Sequence, residues 1–158
     1  MSAVRFLDTN VLLYAVSTAS AEVAKNRVAR ALLAAGHLAL SVQVLQEFYV
    51  QATRSTRPDR LSHDQAAALI EAWLRFPTQD TTTPLIRAAL ATTTRHRISY
   101  WDAAIIEAAR LQGCTIVLSE DLADDQDFDG VRVENPLPQN EAARRACHAR
   151  DAGALDDP

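Results

Sequence analysis

Lysine is almost missing from this chain of 158 residues. Of its 16 basic side chains only Lys25 is a lysine, and the rest are arginines. Cysteine is scarce as well. Cys114 and Cys147 are too few for a disulfide framework and lack metal-type spacing. There are four glycines and four histidines. No GxGxxG, GxS or Walker pattern occurs, and His37, His63, His96 and His148 form no i,i+4 pair. No apolar run approaches the roughly 20 residues of a membrane span. The N-terminus has no basic stretch followed by an apolar block, so no signal peptide is expected. These absences predict a cytoplasmic protein with no membrane partner. A net charge of −4 argues against a simple basic nucleic-acid binder, but not against a nuclease whose acidic centre carries metal ions.

What remains as chemistry is carboxylate. The apolar fraction of 48% and the length predict one domain with a real core, over 1–137. Residues 138–158 are expected to be a polar tail, with a short Ala-rich helix from Asn140 to Arg150 and disorder from Asp151. The stretch Phe6-Leu7-Asp8-Thr9-Asn10 organises the rest. A short apolar run, Val4 to Leu7, hands over to a helical pattern from Val11 to Val16, and Asp8 stands at the handover. In open α/β sheets ligands bind at that edge, outside the carboxyl ends of the strands. Asp8 and Asn10 are also good helix N-caps, which alone would explain them.

Further on, Ser20 is expected to cap a helix over Ala21 to Ala35, ended by Gly36. Leu38 to Leu40 reads as a buried strand. Ser41 caps a helix from Val42 to about Arg54, whose core face is Val44, Leu45, Phe48, Tyr49 and Ala52. Glu47 lies off that face, where solvent and a cleft are both open to it. A loop follows, then a helix from His63 to Phe76 stopped by Pro77. Gln79 to Thr82 reads as a weak strand, and Pro84 opens a helix reaching His96. Ser99 starts a helix to Gln112 with Asp102 at its N3 position, as in a capping box. Cys114 to Leu118 is a continuous apolar strand, buried on both faces in a parallel sheet. Ser119-Glu120-Asp121 lies at its carboxyl end and repeats the placement of Asp8. Val131 to Val133 is the last strand. Strands alternating with helices give an α/β sandwich around a mostly parallel sheet.

Four acids stand out by position: Asp8 and Asp121 after strands, Glu47 and Asp102 on helices starting near the same edge. Clustered carboxylates repel one another and persist at neutral pH only with a cation or with protons taken up. Their hard oxygens suit Mg²⁺ or Mn²⁺. At these residues the sequence resembles the PIN-domain proteins, and more narrowly the VapC-type toxins of bacterial toxin–antitoxin pairs. The resemblance runs from about Val4 to Pro136. It is carried by Phe6-Leu7-Asp8-Thr9-Asn10, Gln46-Glu47-Phe48, Tyr100-Trp101-Asp102-Ala103 and Leu118-Ser119-Glu120-Asp121-Leu122.

The resemblance implies an α/β/α fold with a five-stranded parallel sheet. It implies a divalent-metal endoribonuclease, a homodimer, and a cognate VapB-type antitoxin. Asp8, Glu47, Asp102 and Asp121 match the family's four acidic positions, as catalytic residues and metal ligands. Thr9, Asn10 and Ser119 match polar positions that support them. Glu120, Asp124 and Asp125 are neighbours that compete with Asp121 for the fourth place.

Arg54, Arg57 and Arg60 follow the Glu47 helix and are expected either as a rim that holds substrate phosphates or as a solvated turn. Three rival readings remain. A haloacid dehalogenase-like phosphohydrolase would need a second Asp at position 10, where Asn10 stands. A receiver-like phospho-acceptor domain would want a Lys after the late strand. A non-catalytic PIN-like binding module would not need all four acids.

Overall fold

The computed structural model describes residues 3–139. The expected helix over 140–150 and the tail after it lie outside the described residues. Arg5–Leu7 forms β1, and its Phe6 and Leu7 side chains are wholly buried. A strand so apolar belongs in the middle of a covered sheet, and β1 is there. Leu38–Ser41 (β2) pairs with it in parallel on one side, Phe6 opposite Ala39. Ile116–Leu118 (β4) pairs in parallel on the other, Phe6 opposite Val117. Thr78–Gln79 (β3) extends the β2 side, and Val131–Glu134 (β6) extends the β4 side. These five strands are the expected parallel sheet.

A sixth strand was not expected. Asp127–Phe128 (β5) folds back antiparallel on β6 and gives the order β3-β2-β1-β4-β6-β5. It hides in the acidic run of residues 120–129, which reads as a loop. Asp129 (φ 53°) and Gly130 (φ 94°) make its tight turn, and the Asp127 carboxylate accepts from Gly130 N at 2.9 Å.

Among the described residues six α-helices cover the sheet: α1 (Thr9–Val16), α2 (Val23–Ala35), α3 (Val42–Ala52), α4 (His63–Trp73), α5 (Thr83–His96) and α6 (Tyr100–Leu111). Ser41, Ser62, Thr82 and Ser99 each accept a hydrogen bond from a first-turn backbone N–H, as N-caps do. Ser20 does not. A short 3₁₀ turn, Ser20–Glu22, precedes α2, and its N-cap position is Ala19. The reason is local competition: Ser17 Oγ donates to Glu22 at 2.5 Å, and Asn26 Nδ2 donates to the carbonyls of Tyr14, Ala15 and Ser17. Those bonds close the end of α1 and fix the approach to α2. The weak third strand begins at Thr78, one residue before the expected start, because Leu40 N bonds Pro77 O at 2.9 Å and draws that segment in.

Helix α6 is buried without a break from Ala103 to Ala109. Four alanines in that run let it lie close on the sheet and on α5. Phe48 on α3 meets Trp73 on α4 edge to face, centroids 4.7 Å apart, and closes the core on the other side. Among the described residues no helix is long and apolar enough to cross a membrane.

Candidate active site

The strand order reverses direction at β1. Strands β2 and β3 lie on one side of β1, and β4 and β6 on the other, so the carboxyl ends of β1 and β4 form a switch point, where ligands bind in open α/β sheets. Asp8 and Ser119 are the first residues past those two ends. Backbone bonds lock the edge: Asp8 N donates to Leu118 O, and Ser119 N donates to Glu134 O at the end of β6.

Asp8 is 5% exposed and has two tasks. Its Oδ1 accepts from Thr9 N at 2.6 Å and so caps α1. Its Oδ2 accepts from Ser119 Oγ at 2.7 Å and from Asn10 Nδ2 at 3.2 Å. Capping and site membership, alternatives in the sequence, coexist because a carboxylate has two oxygens. The Asn10 amide also reaches Asp121 Oδ2 at 3.2 Å and thus lies between two carboxylates. Ser119 Oγ in turn accepts from Asp121 N and Leu122 N, which turns the chain so that Asp121 faces Asp8.

Glu47 is only half-buried, yet both its oxygens are held. Thr9 Oγ1 donates to Oε2 at 2.9 Å, and Gln43 Nε2 donates to Oε1 at 2.9 Å. Its direction into the cleft was undecided by helix periodicity. Asp102 is joined less directly. Gln43 Nε2 also reaches the carbonyl of Trp101 at 3.3 Å, which brings the start of α6 against α3. Ser99 caps Asp102 N at 3.1 Å, but no return bond from the Asp102 carboxylate completes a capping box. The Asp102 carboxylate is thus free of a capping task, and only the backbone of its helix start is tied to Gln43 and so to Glu47.

Charge has accumulated here. Burial pushes the Asp8 carboxyl up from 3.8 to about 6, against the hydrogen bonds from Ser119 and Thr9, and the nearby charges of Asp121 and Glu47 push it the same way. Among the described residues no three Asp, Glu, His or Cys side chains are drawn close enough to close around one ion. The donors Thr9, Asn10 and Ser119 stand between the carboxylates and hold them apart. The donor set itself, all carboxylate oxygen, fits a hard divalent cation.

The competitors of Asp121 have other partners. Glu120 is bound by Lys25, the sole lysine, and by the Tyr14 hydroxyl at 2.5 Å. Asp124 accepts from Asn135 N, and Asp125 lies near Arg132. The three arginines separate. Arg57 lines a cleft of about 210 Å³ with Asn10, Tyr14, Glu22 and Asp121, and its Nε stands 2.8 Å from Asp59. Arg60 lines a different cleft with Tyr49 and His63, and Arg54 touches neither. The Arg57 loop is pinned by Asp59, which accepts from Thr18 N.

Gln43, Tyr14 and Lys25 are site residues that the sequence reading missed. Gln43 had a visible signal, since it precedes Glu47 by one helical turn. Lys25 and Glu120 are 95 positions apart and had none.

Several solved structures share this fold. A toxin–antitoxin complex from Klebsiella pneumoniae is 21% identical with a TM-score of 0.62, over 87% of this chain and all of that one. Mycobacterium tuberculosis VapC20, described as a Sarcin-Ricin loop cleaving toxin, is 21% identical with a TM-score of 0.58, over 74% of this chain and 89% of that one. The DNA-bound VapBC of Salmonella typhimurium is 19% identical with a TM-score of 0.58, over 85% and 99%. No curated protein matches the sequence. The family model of the PIN domain matches residues 5–131, from β1 to the first residue of β6 and across every residue of the acidic crevice, so the chain belongs to the PIN domain family.

Proposed function

We propose that this protein is a Mg²⁺- or Mn²⁺-dependent endoribonuclease, the toxin of a cytoplasmic toxin–antitoxin pair. The observation that carries the reading is the buried Asp8 carboxylate at the sheet edge, joined through Thr9, Asn10 and Ser119 to Glu47 and Asp121, with its pKa raised to about 6 by burial and by those two acidic neighbours. Such a cluster is relieved by a cation. The family membership and the toxin–antitoxin complexes of the same fold support it.

Asp8, Glu47, Asp102 and Asp121 would hold the ion, their side chains drawing closer together as it binds. A bound Mg²⁺ or Mn²⁺ supplies the positive charge for a phosphodiester displacement and makes water a competent nucleophile. The protein's own part is orientation. Ser119 and Asn10 aim Asp8, Asn10 aims Asp121, and Thr9 with Gln43 fixes both oxygens of Glu47. Asp8 must release its proton as the ion enters. The partner is a VapB-type antitoxin, and the acidic cleft suits an inserted basic side chain by charge-assisted hydrogen bonds. The active form is a homodimer.

Incubation with structured and single-stranded RNA tests the reading. Cleavage is expected only with Mg²⁺ or Mn²⁺, with 5′-phosphate and 3′-hydroxyl ends. Cutting that continues in EDTA, or cyclic-phosphate ends, would overturn it, because those ends mark 2′-hydroxyl attack.

The arginines give a second test. Only Arg57 lies at the acidic cleft, so Arg57→Ala should flatten the salt dependence of single-stranded RNA binding by about 0.7 in slope, one phosphate contact. Arg60→Ala and Arg54→Ala should leave the slope unchanged. Equal slopes in all three variants return Arg57 to a purely structural ion pair with Asp59.

A further inference from the structure

We propose that Trp101 is the stacking platform for a nucleobase of the single-stranded substrate, at the edge of the acidic cleft. The proposal rests on the nuclease reading above. Trp101 is 62% exposed, the most exposed of the large apolar residues described. Its indole presents a large, flat, apolar face to solvent. It directly precedes Asp102, and its own carbonyl is held by Gln43, whose amide also holds Glu47. The backbone carrying the ring is therefore fixed to the catalytic cluster. The Tyr100 ring braces it edge on, centroids 5.3 Å apart at 76°. The result is a preset aromatic surface one residue from a carboxylate of the site.

A nucleobase fits this surface better than a protein does. A protein interface of ordinary size takes about 800 Å² from each partner, with an apolar centre. Trp101 is a lone indole: the only other exposed large apolar residue on α6 is Leu111, at the helix's far end. One π-face is all that one base needs, and every base has one.

The chain provides its own optical probe. It has two tryptophans, and Trp73 is 5% exposed and packed on Phe48, so ligand-dependent emission reports on Trp101. The full chain is titrated with a short single-stranded RNA in Ca²⁺, and with an abasic strand of the same length and charge. The RNA is expected to quench emission and to bind more tightly than the abasic strand. Trp101→Ala should weaken RNA binding by about five- to hundredfold, the range for one stacked base, and erase the difference between the two strands. Trp101→Phe should retain most of the affinity. Mn²⁺ affinity and the emission of Trp73 should be unchanged in both variants, which shows that they fold.

Wild-type binding without quenching, or full affinity in Trp101→Ala, overturns the stacking proposal and leaves the nuclease reading intact. A wild-type chain that binds no RNA overturns both. Emission that changes with protein concentration before RNA is added makes Trp101 a contact between copies, and the stacking proposal falls.

Discussion

Replacing Asp8 by Asn should abolish cleavage and at the same time stabilise the metal-free protein. The Asp8 carboxyl is held at about 6 in the folded chain against an ordinary 3.8. Between those values the folded state binds the extra proton and the unfolded state does not. Stability from this group is therefore complete below about pH 4 and is lost as pH rises through 6. The loss is on the order of 3 kcal/mol, at about 1.4 kcal/mol per pH unit. Asparagine cannot ionise and escapes it. Its Oδ1 still caps α1 through Thr9 N, while its amide NH2 meets the Ser119 and Asn10 donors that Asp8 Oδ2 accepted from, which offsets part of the gain.

Denaturant unfolding in EDTA should therefore find the Asp8→Asn variant more stable than wild type at pH 7.5, by up to about 3 kcal/mol, and equal to it near pH 4. Saturating Mn²⁺ should reverse the order. Only wild type gains, by about 4.1 kcal/mol at a thousand times the dissociation constant, which exceeds the deficit of about 3 kcal/mol. Cleavage should fall by more than about a hundredfold, since loss of even an outer partner of a metal ligand costs 10- to 100-fold. A variant no more stable than wild type at pH 7.5 would mean that the Asp8 charge is already compensated in the metal-free fold.

Ser119→Ala, one hydrogen bond away, should have the opposite effect on stability and the same effect on function. Ser119 is fully buried, and its hydroxyl serves four neighbours. It donates to Asp8 and accepts from Asn10 Nδ2, Asp121 N and Leu122 N. Alanine leaves those donors short of an acceptor, the Leu122 N–H in a buried position and the Asp121 N–H in a part-buried one. Each buried group left unpaired costs about 1–3 kcal/mol. Asn10 keeps Asp8 and Asp121, so the two backbone N–H groups dominate, and a loss of about 2–4 kcal/mol is expected.

Ser119 also supplies the strongest of the hydrogen bonds that hold the Asp8 carboxyl down, so its removal lets that carboxyl rise further. The pH range over which the fold weakens should extend upward, and Mn²⁺ affinity at neutral pH should drop by roughly ten- to hundredfold. The double variant Asp8→Asn/Ser119→Ala measures the coupling. Groups 2.7 Å apart in one network should deviate from additivity by at least about 0.5 kcal/mol. Additive losses with unchanged metal affinity would make Ser119 a packing residue only.

The sequence by itself determined most of the architecture. Apolar runs of strand length, helix patterns ended by Gly36 and Gly113, and caps at Ser41, Ser62 and Ser99 are local signals, and the backbone obeys them. It also marked Asp8 and Asp121, because an acid after a buried strand has a fixed position at a parallel sheet's edge. The two-residue strand β5 escaped, since its ladder is made by β6 and its residues sit in an acidic run without periodicity.

The tertiary structure decided which acids act together. Glu47, ambiguous on its own helix, is turned inward by Thr9, a residue 38 positions away. Glu120 and Asp121 are adjacent and chemically alike, yet Lys25 and Tyr14 take the first, while Asn10 reaches the second. Three arginines within seven residues look equivalent, but the Asp59 bond to Thr18 pins their loop so that Arg57 alone meets the acidic cleft. In each case the deciding partner comes from a distant segment. Local propensity depends on neighbours along the chain, whereas carboxylate direction and protonation depend on which donors and charges the packed sheet brings within a few ångströms.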